Sequence, residues 1–216
     1  MNNYEILSRV DHTNLKADST WEDIEKLCFE AVAYKMASVC VPPVYVKRIQ
    51  ETFGAQLAIC TVIGFPLGYS CMEAKIAEIG ASLANGAAEF DVVVNISDVK
   101  NRYYNDVAKE LTTLRAAVGS KILKVIIETC LLDEKQKIMM CEIVTNIGAD
   151  YIKTSTGFST GGAVIEDIEL FKLHIGEGVK IKASGGIRTR EQFEAFIDAG
   201  AERIGASGAL AALGLV

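Results

Sequence analysis

Gly148-Ala149-Asp150-Tyr151-Ile152-Lys153-Thr154-Ser155-Thr156-Gly157-Phe158 reads as a short strand that ends on a lysine and opens into a polar, glycine-bearing loop. A strand interior is a poor place for a free ammonium, because burying an unpaired charge is costly or drives the group neutral. A neutral lysine is a nucleophile. The setting recurs one unit later in Val179-Lys180-Ile181-Lys182-Ala183-Ser184-Gly185-Gly186. Two strand-end lysines side by side are expected to disfavour each other's charge.

Outward from this pair, short apolar runs alternate with longer stretches of helical periodicity. Strands are expected over 10–15, 38–41, 56–63, 89–95, 121–127, 151–154, 180–183 and 203–206. Helices are expected near 19–34, 44–52, 70–85, 98–118, 133–147, 164–174 and 190–199, with a last turn beginning near Gly208. Runs such as Val92-Val93-Val94 and Val125-Ile126-Ile127 suit a parallel sheet covered by helices. Eight β-then-α units in one domain, 1–216, imply a closed (β/α)8 barrel, the TIM-barrel class of α/β fold. A doubly wound open sheet is the alternative, but no G-x-G-x-x-G follows the first strand.

The bulk numbers narrow the function. A chain of 216 residues that is half apolar can bury one sizeable core. A formal charge of -6 disfavours a general nucleic-acid or anionic-membrane binder. No apolar run is long enough to suggest a membrane span, and Met1-Asn2-Asn3-Tyr4-Glu5 does not open a signal peptide, so a cytoplasmic protein is expected. Cysteines at 28, 40, 60, 71, 130 and 141 form no C-x-x-C and read as reduced thiols. Only His12 and His174 are present, with no H-E-x-x-H. No metal site and no organic cofactor are expected.

In such a barrel the chemistry sits at the carboxyl ends of the strands, and side chains alternate in and out. Asp11 and Thr13 share a face, as do Ser38 and Cys40, Glu89 and Asp91, Lys124 and Glu128, Tyr151 and Lys153, and Lys180 and Lys182. Any one of these fits a satisfied buried ion pair. Their convergence on one rim points to a site. Lys153 is the candidate Schiff-base former, against the alternative of a lysine snorkelling to the mouth. Asp91 could pair with Lys182 and move protons through a water. An iminium is its own electron sink, so this chemistry calls for no cofactor. The loops Ser184-Gly185-Gly186-Ile187 and Gly205-Ala206-Ser207-Gly208 follow strands seven and eight, where barrels often bind phosphate. Plain tight turns with left-handed glycines are the alternative. Phe158-Ser159-Thr160-Gly161-Gly162 is expected to be a mobile lid.

These residues resemble the deoxyribose-phosphate aldolase family of class I aldolases over nearly the whole chain. The resemblance is carried by Asp11-His12-Thr13-Asn14-Leu15-Lys16, Ser38-Val39-Cys40-Val41, Val62-Ile63-Gly64-Phe65-Pro66-Leu67-Gly68 and Glu89-Phe90-Asp91-Val92-Val93-Val94-Asn95. It continues through Leu123-Lys124-Val125-Ile126-Ile127-Glu128-Thr129, both lysine motifs and Arg203-Ile204-Gly205-Ala206-Ser207. It implies reversible cleavage of 2-deoxy-D-ribose 5-phosphate to acetaldehyde and D-glyceraldehyde 3-phosphate. By motif, Lys153 would form the imine, with Lys182 and Asp91 as the proton relay. Asp11, Thr13 and Cys40 would support or bind substrate, and Lys124 is a further inward lysine. Thr156, Gly157, Gly185, Gly186, Ser207 and Gly208 would surround the phosphate. Ala17, Pro42-Pro43 and Gly208 depart from the family pattern, and Gly208 leaves only a backbone donor where a second serine is common. A homodimer is expected from apolar residues on exposed helix faces. A sugar-phosphate isomerase or epimerase, or a non-catalytic phosphate-binding barrel, are the rival readings.

Overall fold

The computed structural model describes residues 1–216. Eight parallel strands close into a barrel in chain order: β1 (Val10–Thr13), β2 (Ser38–Val41), β3 (Ile59–Ile63), β4 (Glu89–Val93), β5 (Ile122–Ile126), β6 (Tyr151–Lys153), β7 (Lys180–Ser184) and β8 (Arg203–Ala206). The last strand pairs back on the first, with Asp11 opposite Gly205. The expected barrel is therefore the observed one. No helix is long and apolar enough to cross a membrane.

The helices are α1 (Asn3–Leu7), α2 (Trp21–Ala33), α3 (Val46–Phe53), α4 (Met72–Ala84), α5 (Ile96–Lys100), α6 (Tyr104–Val118), α7 (Glu134–Asn146), α8 (Ile165–His174), α9 (Arg190–Ala199) and α10 (Ala209–Ala212). Several begin where side chains satisfy the free backbone N–H groups of the first turn. Thr20 with Asp23, Asp133 with Gln136, and Thr189 with Gln192 each form a reciprocal capping box.

Some boundaries differ from expectation. The helix expected over 98–118 is two helices, α5 and α6, because Arg102 turns left-handed at φ 62°. The segment expected as helix over 44–52 opens with a 3-10 turn, Pro43–Tyr45, before α3. β3 starts at Ile59, since Gly54–Gln56 forms another 3-10 turn. β5 stops at Ile126, and Glu128 beyond it adopts a left-handed conformation at φ 54°. The short α1 was not expected; its sequence signal is the Asn2–Glu5 capping box.

Strand alternation divides the molecule into two cores. One set of strand side chains, among them Phe90, Val92, Val125, Ile152 and Ile204, joins a cluster of 49 buried apolar residues between sheet and helices. Each large aliphatic side chain buried there contributes about 1.5–3 kcal/mol, so the outer layer supplies most of the hydrophobic stabilisation. The opposite set points into the barrel and is largely charged. The register places Asp91 beside Lys124 and Lys153 beside Lys182 at neighbouring Cα positions.

Candidate active site

Inside the barrel, carboxylates alternate with basic groups. Asp91 Oδ2 accepts hydrogen bonds from Lys153 Nζ at 2.7 Å and Lys182 Nζ at 2.6 Å. Its Oδ1 accepts from Lys124 Nζ at 2.9 Å and the Cys60 thiol at 3.1 Å. Asp11 accepts from Lys182 Nζ, from the Ser38 hydroxyl at 2.7 Å and from Arg203 Nη1 at 2.5 Å. Glu89 holds Lys124 at 2.6 Å and Arg203 at 3.0 Å.

Burial pushes the Asp91 carboxyl up, but Lys124, Lys153 and Lys182 outweigh it and hold the group well below the usual carboxylate range. Asp11 is likewise depressed, with burial opposed by Lys124, Lys182 and Arg203. Burial disfavours the Lys182 ammonium, yet Asp11 and Asp91 raise its pKa above the ordinary lysine value. Lys124 is raised for the same reason. The neighbouring Lys124 does disfavour the Lys182 charge, as expected of close ammoniums, but the flanking carboxylates outweigh it and set the net direction. The Cys60 thiol is pushed up by burial, while Cys40 beside it is drawn down by the contact with Cys60.

The network fixes how stability depends on pH. The depressed Asp11 and Asp91 stabilise the fold fully above their unfolded value of 3.8 and lose that contribution as the pH falls through their lower folded values. The raised Lys124 and Lys182 stabilise fully below 10.5 and lose theirs as the pH climbs through their higher folded values. The buried thiols Cys28, Cys60 and Cys141, raised from 9.0 by burial, cost stability once the unfolded chain can ionise them. Thermal unfolding followed by circular dichroism is therefore expected to show a Tm plateau between about pH 5 and 8, falling on both sides. A Tm that fell steadily from neutral to mildly acidic pH would contradict the assignment.

Above the ion cluster a cavity of about 510 Å³ opens at the carboxyl ends of the strands. Of the seven linked ionic groups, Lys153 alone lines it; its residue is 3% exposed. Thr13, Thr156, Gly157, Gly185, Gly186, Ser207 and Gly208 also line it. Asp91 and Lys182 lie beneath, reaching the cavity through Lys153. Asp11, Cys40 and Lys124 are fully buried and lie behind the cavity lining rather than on it. Lys180 stands exposed at the start of β7 and pairs with Glu202 at 4.0 Å, so it takes no part.

The far wall is built for an anion. Gly157, Gly185 and Gly186 have φ of 83°, 88° and 81°, a left-handed backbone that glycine adopts freely. The backbone N–H groups of Gly186, Ile187, Ser207 and Gly208 donate to no backbone acceptor. Successive free N–H groups beside a cavity form an anion-binding concavity. Lys16 and Arg188 also line this cavity.

The loop after β6, the expected lid, is held at both ends by contacts in this structure. Ala163 N–H donates to both Ser184 O and Gly185 O at 3.1 Å. A Cβ at Gly162 would lie 2.2 Å from Gly185 O, so only glycine permits this approach. Phe158 packs edge-on against Phe65 at 5.3 Å. Glu128, seen in the sequence only as an inward strand position, accepts from Thr156 Oγ1 at 2.5 Å and from Thr156 N–H at 3.3 Å. It thereby orients the lining residue Thr156. Burial raises its pKa.

Two sets of possible metal-ligand atoms occur, Cys40 with Cys60 and Asp91, and Asp11 with Cys60 and Glu89, each within 4.8 Å. Lys124 Nζ sits among them, 3.1 Å from Cys60 Sγ and 2.9 Å from Asp91 Oδ1. A dication there would face an ammonium at contact distance, so the donor set suits a lysine better than a metal.

Fold and site together define a (β/α)8 barrel with an amine at the floor of an anion-ready cavity. The family model for DeoC/LacD family aldolase matches residues 6–214. A deoxyribose-phosphate aldolase from Clostridium botulinum is 59% identical over 213 residues, 99% of this chain and 96% of that protein. One from Clostridioides difficile is 58% identical over 202 residues, covering 94% and 92%. A deoxyribose phosphate aldolase from Aeropyrum pernix, described as a tetramer, superposes with a TM-score of 0.89 at 32% identity, covering 99% of this chain and 91% of that one. The chain belongs to the DeoC/LacD family of aldolases.

Proposed function

We propose that the chain is a class I aldolase that reversibly cleaves 2-deoxy-D-ribose 5-phosphate to acetaldehyde and D-glyceraldehyde 3-phosphate. The observation that carries this reading is the position of Lys153. It is the one amine of the ion cluster on the cavity surface, with Asp91 and Lys182 directly behind it and free backbone N–H groups across from it.

The Lys153 amine attacks the aldehyde carbon of the open-chain sugar and gives a carbinolamine. Loss of water from it needs a proton, which the Lys182 ammonium supplies through Asp91 and Lys153 or through a water. The iminium then accepts the electron pair of the C2–C3 bond. As that bond breaks, the C3 hydroxyl passes its proton, through a water, to the Lys182 amine left by the dehydration step, which later returns it at C2. C3 becomes the aldehyde of glyceraldehyde 3-phosphate. The remaining enamine takes a proton at C2, and water hydrolyses the resulting imine to acetaldehyde and free lysine. Gly157, Gly185, Gly186, Ser207 and Gly208 hold the phosphate, which places C1 over Lys153. The same reading takes the enzyme as a cytoplasmic homodimer. Exposed Phe29, Val44 and Leu173 support association between copies.

The test is to incubate the protein with acetaldehyde or the sugar phosphate, add borohydride and map the adduct by mass spectrometry. A reduced adduct on Lys153 is expected. An adduct on Lys182 would keep the reaction class and exchange the two roles. No adduct on any lysine of the folded protein would sink the aldolase reading.

A further inference from the structure

The ion cluster extends well below the residues that the reaction uses. It contains three carboxylates, Asp11, Glu89 and Asp91, and four basic groups, Lys124, Lys153, Lys182 and Arg203. Arg203 lies at the other end of the chain of contacts from Lys153. It begins β8, its side chain is 11% exposed, and it is absent from the cavity lining. Its Nη1 binds Asp11 and Glu89, and its guanidinium lies 5.3 Å from the Tyr151 ring. The line of contacts runs from Arg203 to Asp11, then Lys182, Asp91 and Lys153, with Glu89 and Lys124 as a second branch.

A buried set with one more base than acid carries a net charge when every member is ionised, and that is costly away from water. The cost is relieved when one base gives up its proton. Lys124 and Lys182 are each held by at least two carboxylates, and Arg203 by two. Lys153 has one carboxylate, shared with two other ammoniums, and it is the member that borders the cavity.

We propose that Arg203 and Glu89 are positioning residues that set, from the closed end of the barrel, whether Lys153 stands as a free amine. Arg203 supplies the surplus positive charge and Glu89 limits it. Neither touches substrate. The inference rests on the imine reading of Lys153 given above. The other titratable groups of the interior are Cys40 from β2, Cys60 from β3, Tyr151 from β6 and Glu128 beyond β5. Glu128 is bound by Thr156 and makes no direct ion pair, but it feels the Lys153 charge at longer range and so tempers the surplus without entering the line of contacts.

The sign of each perturbation follows. Removing the Arg203 charge makes the interior more negative and favours the Lys153 ammonium. Removing the Glu89 charge does the reverse. The experiment measures the rate of cyanoborohydride-trapped acetaldehyde adduct on Lys153 against pH, for the parent, Arg203→Gln, Glu89→Gln and the double variant. The half-maximal pH is expected to rise by about one unit in Arg203→Gln and to fall by about one unit in Glu89→Gln. It is expected to return to the parent value in the double variant. A packing role would not move the two single variants in opposite directions. Adduct on Lys153 with both midpoints unmoved, or both moved the same way, overturns the inference while leaving the imine reading intact. No adduct on Lys153 in the parent fails the imine reading and the inference with it. If Arg203→Gln does not fold, Arg203→Lys replaces it: the retained charge is expected to leave the midpoint in place while Glu89→Gln still lowers it. Cys40→Ala is expected to leave the Arg203→Gln shift unchanged. Loss of that shift would assign the surplus to the thiol and overturn the inference.

Discussion

Lys153→Leu is expected to lower kcat/KM for cleavage of the sugar phosphate by on the order of 10^4-fold or more, with little change in Tm. The two halves of this prediction have separate causes. Activity falls because the cavity's other amine, Lys16, is exposed and has none of the ion cluster behind it, so it cannot take over imine formation. Stability holds because the substitution removes a base from a set that has one more base than acid. Asp91 keeps Lys124 and Lys182 as partners, so the substitution leaves no buried carboxylate unpaired, which is what makes breaking a buried ion pair costly. A coupled assay for released aldehyde and a calorimetric scan of the same preparation read both halves. A residual rate within tenfold of the parent would show that the chemistry does not pass through this residue.

Asp91→Asn is expected to do the opposite in stability and a similar thing in activity. Asp91 is the shared acceptor for Lys124, Lys153 and Lys182, and all three nitrogens lie within 3 Å of it. Asparagine keeps the shape and removes the charge, leaving three buried ammoniums with two carboxylates between them. Breaking a buried pair costs about 3–5 kcal/mol. For a chain of this length that lowers the Tm by about 10 °C. Loss of proton transfer lowers kcat by about 10^2- to 10^4-fold. Calorimetry and steady-state kinetics check the two. An unchanged Tm would mean that the interior charges stabilise far less than their geometry implies.

The contrast between these two residues was not visible in the sequence. Strand parity put Asp91, Lys153 and Lys182 on one face, and the structure brings them together. Parity gives a face but no depth. Depth depends on the stagger of eight strands around the barrel, and that stagger puts Asp11, Cys40 and Lys124 below the cavity while Thr13 and Thr156 line it. The charge on Lys182 depends on Asp11, which is 171 residues away in the chain, so local reading could not give the net direction. Arg203 was read only as a strand start. The break at Arg102 escaped because neither glycine nor proline marks it. The eight β/α units, in contrast, follow from local periodicity and short apolar runs, which tertiary context did not override.

The division between an aliphatic layer outside the strands and an ionic column inside them also governs how this chain can diverge. An outer position in the 49-residue apolar cluster accepts volume-conserving exchanges at modest cost. It can drift alone, in small steps. An inner position holds a partner in place on another strand, so a lone change leaves that partner unpaired, and the viable route is a simultaneous change at two strands far apart in sequence. One backbone thus carries two mutational clocks, a fast one facing the helices and a slow, pairwise one facing the axis.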